Sequence, residues 1–300
     1  MRGRFVFGAV PAALFAIGMT TAVGQEPADQ PDFPTTVFNE GERSAAISVG
    51  DLAASITMER LPEVDPDLDF PVLRVSVEDA EVLRAVGAGS SLDFPAAEAS
   101  IADIDPTNEF EEVYFTSYSG GAHCCSLVIV ATHTDRGWTA TEVGEFDGDG
   151  GFLEDVDGDG TAEIVTTDDR FLYRFDCYSC SAAPLRVITI RDGAVVELSD
   201  DPRFRDAHRR WLEQIEEDVE PERRWSSPGF LAGWMAARIR LGDGEAAWRD
   251  LTDHWDFEGD PGAVTCLTGA EVDKCPRKSR TLLKFPERLK LFLEQNGYGF

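Results

Sequence analysis

Two stretches of this chain read as copies of one another, and one of them carries a loop that needs a particular partner. Residues 155–165 run Asp-Val-Asp-Gly-Asp-Gly-Thr-Ala-Glu-Ile-Val, and residues 103–113 run Asp-Ile-Asp-Pro-Thr-Asn-Glu-Phe-Glu-Glu-Val. They align without a gap. Asp103 matches Asp155, Asp105 matches Asp157, Thr107 matches Asp159, Asn108 matches Gly160 and Glu111 matches Glu163. Asn replaces Gly sensibly where a backbone turns left-handed. Each copy then runs into a strand-like stretch (Val113-Tyr114-Phe115; Ile164-Val165-Thr166). A second apolar run follows (127–130; 185–190), then a turn (Asp135-Arg136-Gly137; Arg191-Asp192-Gly193) and a further strand (138–143; 194–198). Several short strands per copy are the pattern of propeller blades.

The alternation of Asp155, Asp157 and Asp159 lets a tight turn at Gly160 bring three carboxylates to one centre. Thr161 would add its backbone carbonyl, and Glu163 would close the shell. Hard oxygens at this spacing suit Ca²⁺. The loop is not an EF-hand, because the twelfth position is Thr166 rather than an acid and the flanks read as strands. Between Glu145 and Asp159 there are seven carboxylates and no base, a density that asks for a counter-cation. The competing reading is a solvated acidic turn. A weaker second loop would use Asp103, Asp105, Thr107, Glu109 and Glu111, where Thr107 stands in for a carboxylate.

The loop at 155–163 followed by a strand resembles the calcium loop of FG-GAP/VCBS-type repeats, found in integrin-like β-propellers and exported bacterial proteins. The resemblance covers about residues 100–200 as two copies. It implies Ca²⁺ ligands at Asp155, Asp157, Asp159, Thr161 and Glu163. Two blades do not close a propeller, and the Phe-Gly and Gly-Ala-Pro signatures are poor or missing. The stretch 117–125 is similar to a segment of exported bacterial proteins that carry such repeats, with no activity implied.

The N-terminus predicts export. Arg2 and Arg4 precede an apolar run over 5–17, and Ala22-Val23-Gly24 offers the small residues of a cleavage site. The apolar run is short for a membrane span, so no membrane insertion is expected after cleavage, and the protein is expected in a periplasm or outside the cell. Net charge is −29, from 27 Lys+Arg against 56 Asp+Glu. Such a chain lacks the basic surface that nucleic acid requires. In an oxidising compartment the six cysteines, Cys124, Cys125, Cys177, Cys180, Cys266 and Cys275, read as disulfide candidates. Cys266 with Cys275 and Cys177 with Cys180 are natural pairs. That would leave Cys124 and Cys125 adjacent, and cross-pairing between the 124/125 and 177/180 groups is the rival.

Other chemistry is thin. His123-Cys124-Cys125 could form a thiol or soft-metal centre, against an oxidised pair in a Gly-Gly turn. Cys177-Tyr178-Ser179-Cys180 is followed by Pro184 and a β-run rather than a helix, so it reads as structural. The His residues (123, 133, 208, 254) are scattered, and no P-loop, nucleophile elbow or dinucleotide fingerprint occurs. Trp211, Trp225, Trp234, Trp248 and Trp255 could stack on a sugar, but their helical spacing fits a core.

The chain is therefore expected to be α+β, with a β-rich N-terminal and central region of propeller-blade-like repeats and an α-helical C-terminal region. The predicted boundaries are a signal peptide (1–24), a flexible leader (25–45), a small β module (46–100), two β repeats (101–200) and helices (201–300). Helices are expected over 206–218, 230–241, 245–254 and 286–296. The reading leans away from an enzyme, with no catalytic residue assigned. It favours an exported calcium-binding scaffold for a protein or glycan. A thiol/metal protein using His123, Cys124 and Cys125, and a carbohydrate-active hydrolase, are the alternatives.

Overall fold

Short apolar runs separated by tight turns give antiparallel hairpins here, and the hairpins stack as sheets. The computed structural model describes residues 33–37, 42–90, 97–121, 124–147 and 151–300, with Cys124 described by its backbone alone. The predicted signal peptide (1–24), His123 and Asp149 lie outside the described residues.

The first strand is β1 (Thr35–Val37). A meander follows, made of β2 (Ser44–Val49), β3 (Leu52–Arg60), β4 (Asp69–Val77) and β5 (Ala80–Val86). It forms one four-stranded sheet in the order β2-β3-β4-β5. The second sheet has the order β1-β6-β7-β8-β9, with β6 (Ala97–Ala102), β7 (Glu112–Tyr118), β8 (Cys124–Thr134) and β9 (Gly137–Asp147). The third runs β10-β11-β12-β13, from β10 (Phe152–Glu154), β11 (Glu163–Thr167), β12 (Leu185–Arg191) and β13 (Ala194–Glu197).

Side-chain alternation explains the stacking. In β7, Val113 and Phe115 pack with Ile56, Leu73 and Val75 of the first sheet. Tyr114, between them, points the other way and joins Val128, Val130, Ile164, Ile188 and Ile190. The second sheet is thus buried on both faces, as its unbroken apolar run at 127–131 requires. On the far side of the third sheet, Leu185 and Val187 meet Phe204 and Ala207 of the helical region.

That region contains α1 (Arg205–Glu217), α2 (Pro228–Arg240), α3 (Gly244–His254), the ribbon β14 (Ala263–Cys266) with β15 (Arg280–Leu283), and α4 (Phe285–Gln295). Helix α2 is apolar all round, with Phe230 to Ala237 buried. It therefore sits inside its neighbours, while α1, α3 and α4 each bury one stripe. Trp234 is in this core and donates to Glu216 Oε1 at 2.7 Å.

The strands expected in the two copies fall in separate sheets, one copy in the second and one in the third. Four antiparallel sheets, counting the ribbon, form among the described residues, and they do not close into a propeller. Two boundaries differ from expectation. Residues 35–37, predicted as leader, pair with β6, Thr35 opposite Ser100. The predicted small β module is split, because β6 leaves the meander and joins the next sheet. Hydrophobic alternation identifies strands but not which sheet receives them.

Candidate metal centre

The turn between β10 and β11 is wound by its own aspartates. Asp155 Oδ1 accepts the N–H groups of Gly158 and Asp159 at 2.8 and 3.0 Å, and its Oδ2 accepts that of Gly160 at 3.1 Å. Asp157 accepts from Asp159 N at 3.2 Å, and Asp159 from Thr161 N at 2.9 Å. Positive φ at Gly158 and Gly160 (77° and 93°) makes this winding possible without strain. The result gathers one carboxylate oxygen each from Asp155, Asp157 and Asp159 within 4.8 Å of one another.

Glu163 opens β11 behind this cluster and is 3% exposed. Its Oε2 accepts Val156 N at 3.0 Å. Burial pushes its carboxyl up to about 7, and the charges of Asp157, Asp159 and Asp155 push the same way. It makes no ion pair among the described residues. The cation that does approach is Arg203, which precedes α1. Its Nη1 lies 2.8 Å from Asp157 Oδ2 and 3.3 Å from Asp159 Oδ2, and its Nε lies 3.2 Å from Asp201 Oδ2. The donor set is oxygen alone, anionic and clustered, and so fits a hard divalent cation. Thr161 is placed by its N–H bond to Asp159.

The second loop is built differently. Its expected acids do not converge: Asp103, Glu109 and Glu111 are exposed, and Asp105 is fully buried. Glu112, not Glu111, is the counterpart of Glu163. Both glutamates open a strand, and both accept an N–H from seven residues earlier, Asp105 N at 2.9 Å and Val156 N at 3.0 Å. The gapless alignment missed one extra residue in the first copy. Glu112 Oε2 also takes Ile104 N at 2.8 Å, while Oε1 takes Asn108 Nδ2 at 3.0 Å and Thr132 Oγ1 at 3.1 Å. Burial pushes the Glu112 carboxyl up, against these four hydrogen bonds. Neutral donors thus surround the buried Glu112, the Asn108 amide among them.

Asp105 turns outward from this arrangement to the next sheet. Its Oδ1 accepts Thr107 N at 3.0 Å and its Oδ2 accepts Asp192 N at 2.7 Å, in the β12–β13 turn. Thr189 Oγ1 donates to Ile104 O at 2.7 Å, and Ala162 N to Asp103 O at 2.6 Å. The two loops therefore lace the second and third sheets together. Asp103 feels both loops: although its side chain reaches solvent, partial desolvation raises its carboxyl, and the charges of Asp159 and then Asp105 raise it further.

The cysteines whose side chains are described are oxidised. Cys177–Cys180 and Cys266–Cys275 are disulfides, and Cys125 is disulfide-bonded. Cys125 accordingly offers no thiol for the alternative centre at 123–125. His208 is buried with Nε2 2.7 Å from Ser199 O, and burial lowers its pKa. Trp225 stacks on His254 at 4.3 Å, so that ring face is already used.

Sequence reasoning missed Glu112, Asn108 and Arg203. Strand phase could have found Glu112, because it directly precedes the Val113 alternation. Nothing local marks Arg203, whose role depends on the approach of the helical region.

Comparison with known proteins bears on the helical region and on the whole chain. Residues 205–297 match the family model described as the sll0997 C-terminal domain, a span that runs from the first residue of α1 to just past α4. The chain is 32% identical over 265 residues to the "Probable thylakoid lumen protein sll0997" of Synechocystis sp., covering 87% of this chain and 77% of that protein. It is also 32% identical over 220 residues to the "Uncharacterized protein y4bJ" of Sinorhizobium fredii, covering 73% of this chain and 34% of that one. The match thus spans about a third of y4bJ. No solved structure matches. The resemblance to FG-GAP/VCBS repeats is overturned by these matches, which lead to a different family and to no repeat family. A short acidic turn before a strand is a local feature, whereas the likeness here runs along most of the chain. With the match extending over most of both proteins, the chain belongs to the sll0997 family.

Proposed function

We propose that this protein is an exported, non-catalytic binding or interaction scaffold whose 155–163 loop binds Ca²⁺ and is held in shape by it. The observation that carries the reading is the buried Glu163, without an ion pair among the described residues, behind three clustered aspartates. Asp155, Asp157, Asp159 and Glu163 would hold the ion. The ion would supply positive charge in the place that Arg203 now serves alone. An oxygen-only set anchored by backbone N–H groups suits holding an ion rather than transforming a substrate. Export is supported by the predicted signal segment and the oxidised cysteines, and by the lumenal description of the Synechocystis relative.

Thermal unfolding of the chain in excess EDTA and in millimolar Ca²⁺ tests the reading. At free Ca²⁺ ten times its Kd, stabilisation is about 1.4 kcal/mol. That should raise the melting temperature by about 3 °C, and Asp157→Asn should abolish the rise. Identical melting with and without Ca²⁺ in the wild type sinks the reading.

A further inference from the structure

We propose that the Cys177–Cys180 disulfide is an exchange site for thiols that carry positive charge. The two disulfides described in full differ in access. Cys266 and Cys275 are 4% and 3% exposed, whereas Cys177 and Cys180 both lie at the surface in a single 3-10 turn. Thiol–disulfide exchange needs a thiolate in line with a sulfur, and only the second pair offers that without unfolding.

Opening this bond leaves the turn in place. Cys180 N donates to Cys177 O at 3.1 Å, and Ser181 Oγ to the same carbonyl at 2.8 Å. Ala182 N donates to Gly229 O at 3.2 Å, and Trp211 Nε1 to Ala183 O at 2.9 Å. The segment is thereby docked on α1 and α2 independently of its sulfurs. The ring spans a separation of 3 residues, and so short a ring restricts the unfolded chain least. Reduction is therefore cheap, and the two thiols stay close enough to re-form the bond.

The surroundings select the partner. Cys180 lines a cleft of about 610 Å³ whose apolar side includes Leu172, Trp211, Ile215 and Phe230. Four carboxylates, Asp147, Asp176, Asp218 and Glu220, line the same cleft, against one cation, Arg223. That field repels an approaching anionic thiolate and favours one on a cationic carrier. The substrate class is thus a dithiol on a basic polypeptide. One partner thiolate attacks a cysteine sulfur and forms a mixed disulfide, and the other cysteine leaves as a thiolate and is protonated. The partner's second thiolate then attacks its own sulfur in the mixed bond and releases the remaining cysteine. The partner loses two electrons and two protons, and Cys177–Cys180 gains them.

The test reduces the native full chain with cysteamine, 2-mercaptoethanol and 2-mercaptoethanesulfonate, compared per thiolate, followed by alkylation and peptide mapping. Label should enter Cys177 and Cys180 while Cys266 and Cys275 stay protected. The cationic thiol should react about tenfold faster than the anionic one at low salt, and the gap should shrink at about 0.5 M salt. Asp176→Asn with Asp218→Asn should narrow it at constant salt. Simultaneous reduction of both disulfides would overturn the proposal. So would a flat charge series, or a gap unchanged in the double variant.

Discussion

The Tyr298 hydroxyl donates to Asp168 Oδ2 at 2.9 Å, across 130 positions of sequence. It fastens the segment that follows α4 to the turn that follows β11. Arg170 grips the same carboxylate through Nε at 2.7 Å and reaches Asn296 Oδ1 at 3.1 Å. Burial pushes Asp168 up, but the hydrogen bonds from Arg170 and Tyr298 and the Arg170 charge outweigh it and hold the carboxyl below its ordinary range.

Acid should therefore loosen this junction. A carboxyl depressed on folding contributes stability above its unfolded pKa, and that contribution is lost as pH falls through the folded value. Stability of the wild type should fall below about pH 4, the ordinary aspartate range. Asp168→Asn should be less stable at neutral pH and should lose part of that acid dependence. Urea unfolding at pH 7 and pH 3 measures both. An unchanged pH slope in the variant would contradict the assignment.

Tyr298→Phe removes two bonds of the network, because the hydroxyl also accepts from Arg240 Nη2 at 3.2 Å. It keeps the ring contact with Phe171, at 5.4 Å between centroids, and removes the donor to Asp168. The expected cost is about 1–2 kcal/mol, read as a lower urea midpoint at constant slope.

Gly233→Ala tests how closely α2 approaches the disulfide turn. A Cβ there would overlap the backbone carbonyl of Ala182, and neither helix nor turn can yield alone. Overpacking of this kind costs about 1–3 kcal/mol, although alanine favours a helix. A stabilised variant in differential scanning fluorimetry would refute the close contact.

Glu112→Ala should be among the most damaging single changes in the β region. It strands two buried backbone N–H groups and takes an acceptor from the Thr132 hydroxyl and from the Asn108 amide, which keeps its bond to His133 O at 3.2 Å. A loss of about 3 kcal/mol or more is expected, while Glu112→Gln should cost less because its amide oxygen can still accept the Ile104 and Asp105 N–H groups, with the NH2 end turned to the Thr132 hydroxyl, which can also accept. Equal losses in chemical denaturation would argue that charge, not hydrogen bonding, holds the loop.

Arg203 separates two roles at the proposed ion site. Its guanidinium is 43% exposed beside Asp157 and Asp159, so Arg203→Gln should cost only about 0.5 kcal/mol without metal. If Ca²⁺ takes the same carboxylates, the variant should bind it a few times more tightly in isothermal titration. Weaker binding would mean that Arg203 supports the loop instead of competing for it.

Periodicity made the strands and helices legible. The helix expected over 206–218 is α1 at Arg205–Glu217, and that expected over 286–296 is α4 at Phe285–Gln295. The acidic loop was legible because alternating aspartates before a glycine dictate their own turn. Three things were not. Glu112 was displaced by a one-residue insertion that a gapless comparison hides. Arg203 reaches its aspartates from more than 40 positions away, and sequence carries no distance between remote side chains. The strand at 35–37 is too short for alternation to register, and its proline-rich approach resembles a linker.

That short strand has a consequence for the whole molecule. Beta1 covers the outer edge of β6, yet the entire meander of β2 to β5 is threaded between the two in sequence. Whenever β1 lifts away, β6 presents bare amide and carbonyl groups to its surroundings, the condition under which one sheet recruits a strand from another molecule. Three residues, Thr35 to Val37, thereby replace an edge of six residues, β6, with one of three.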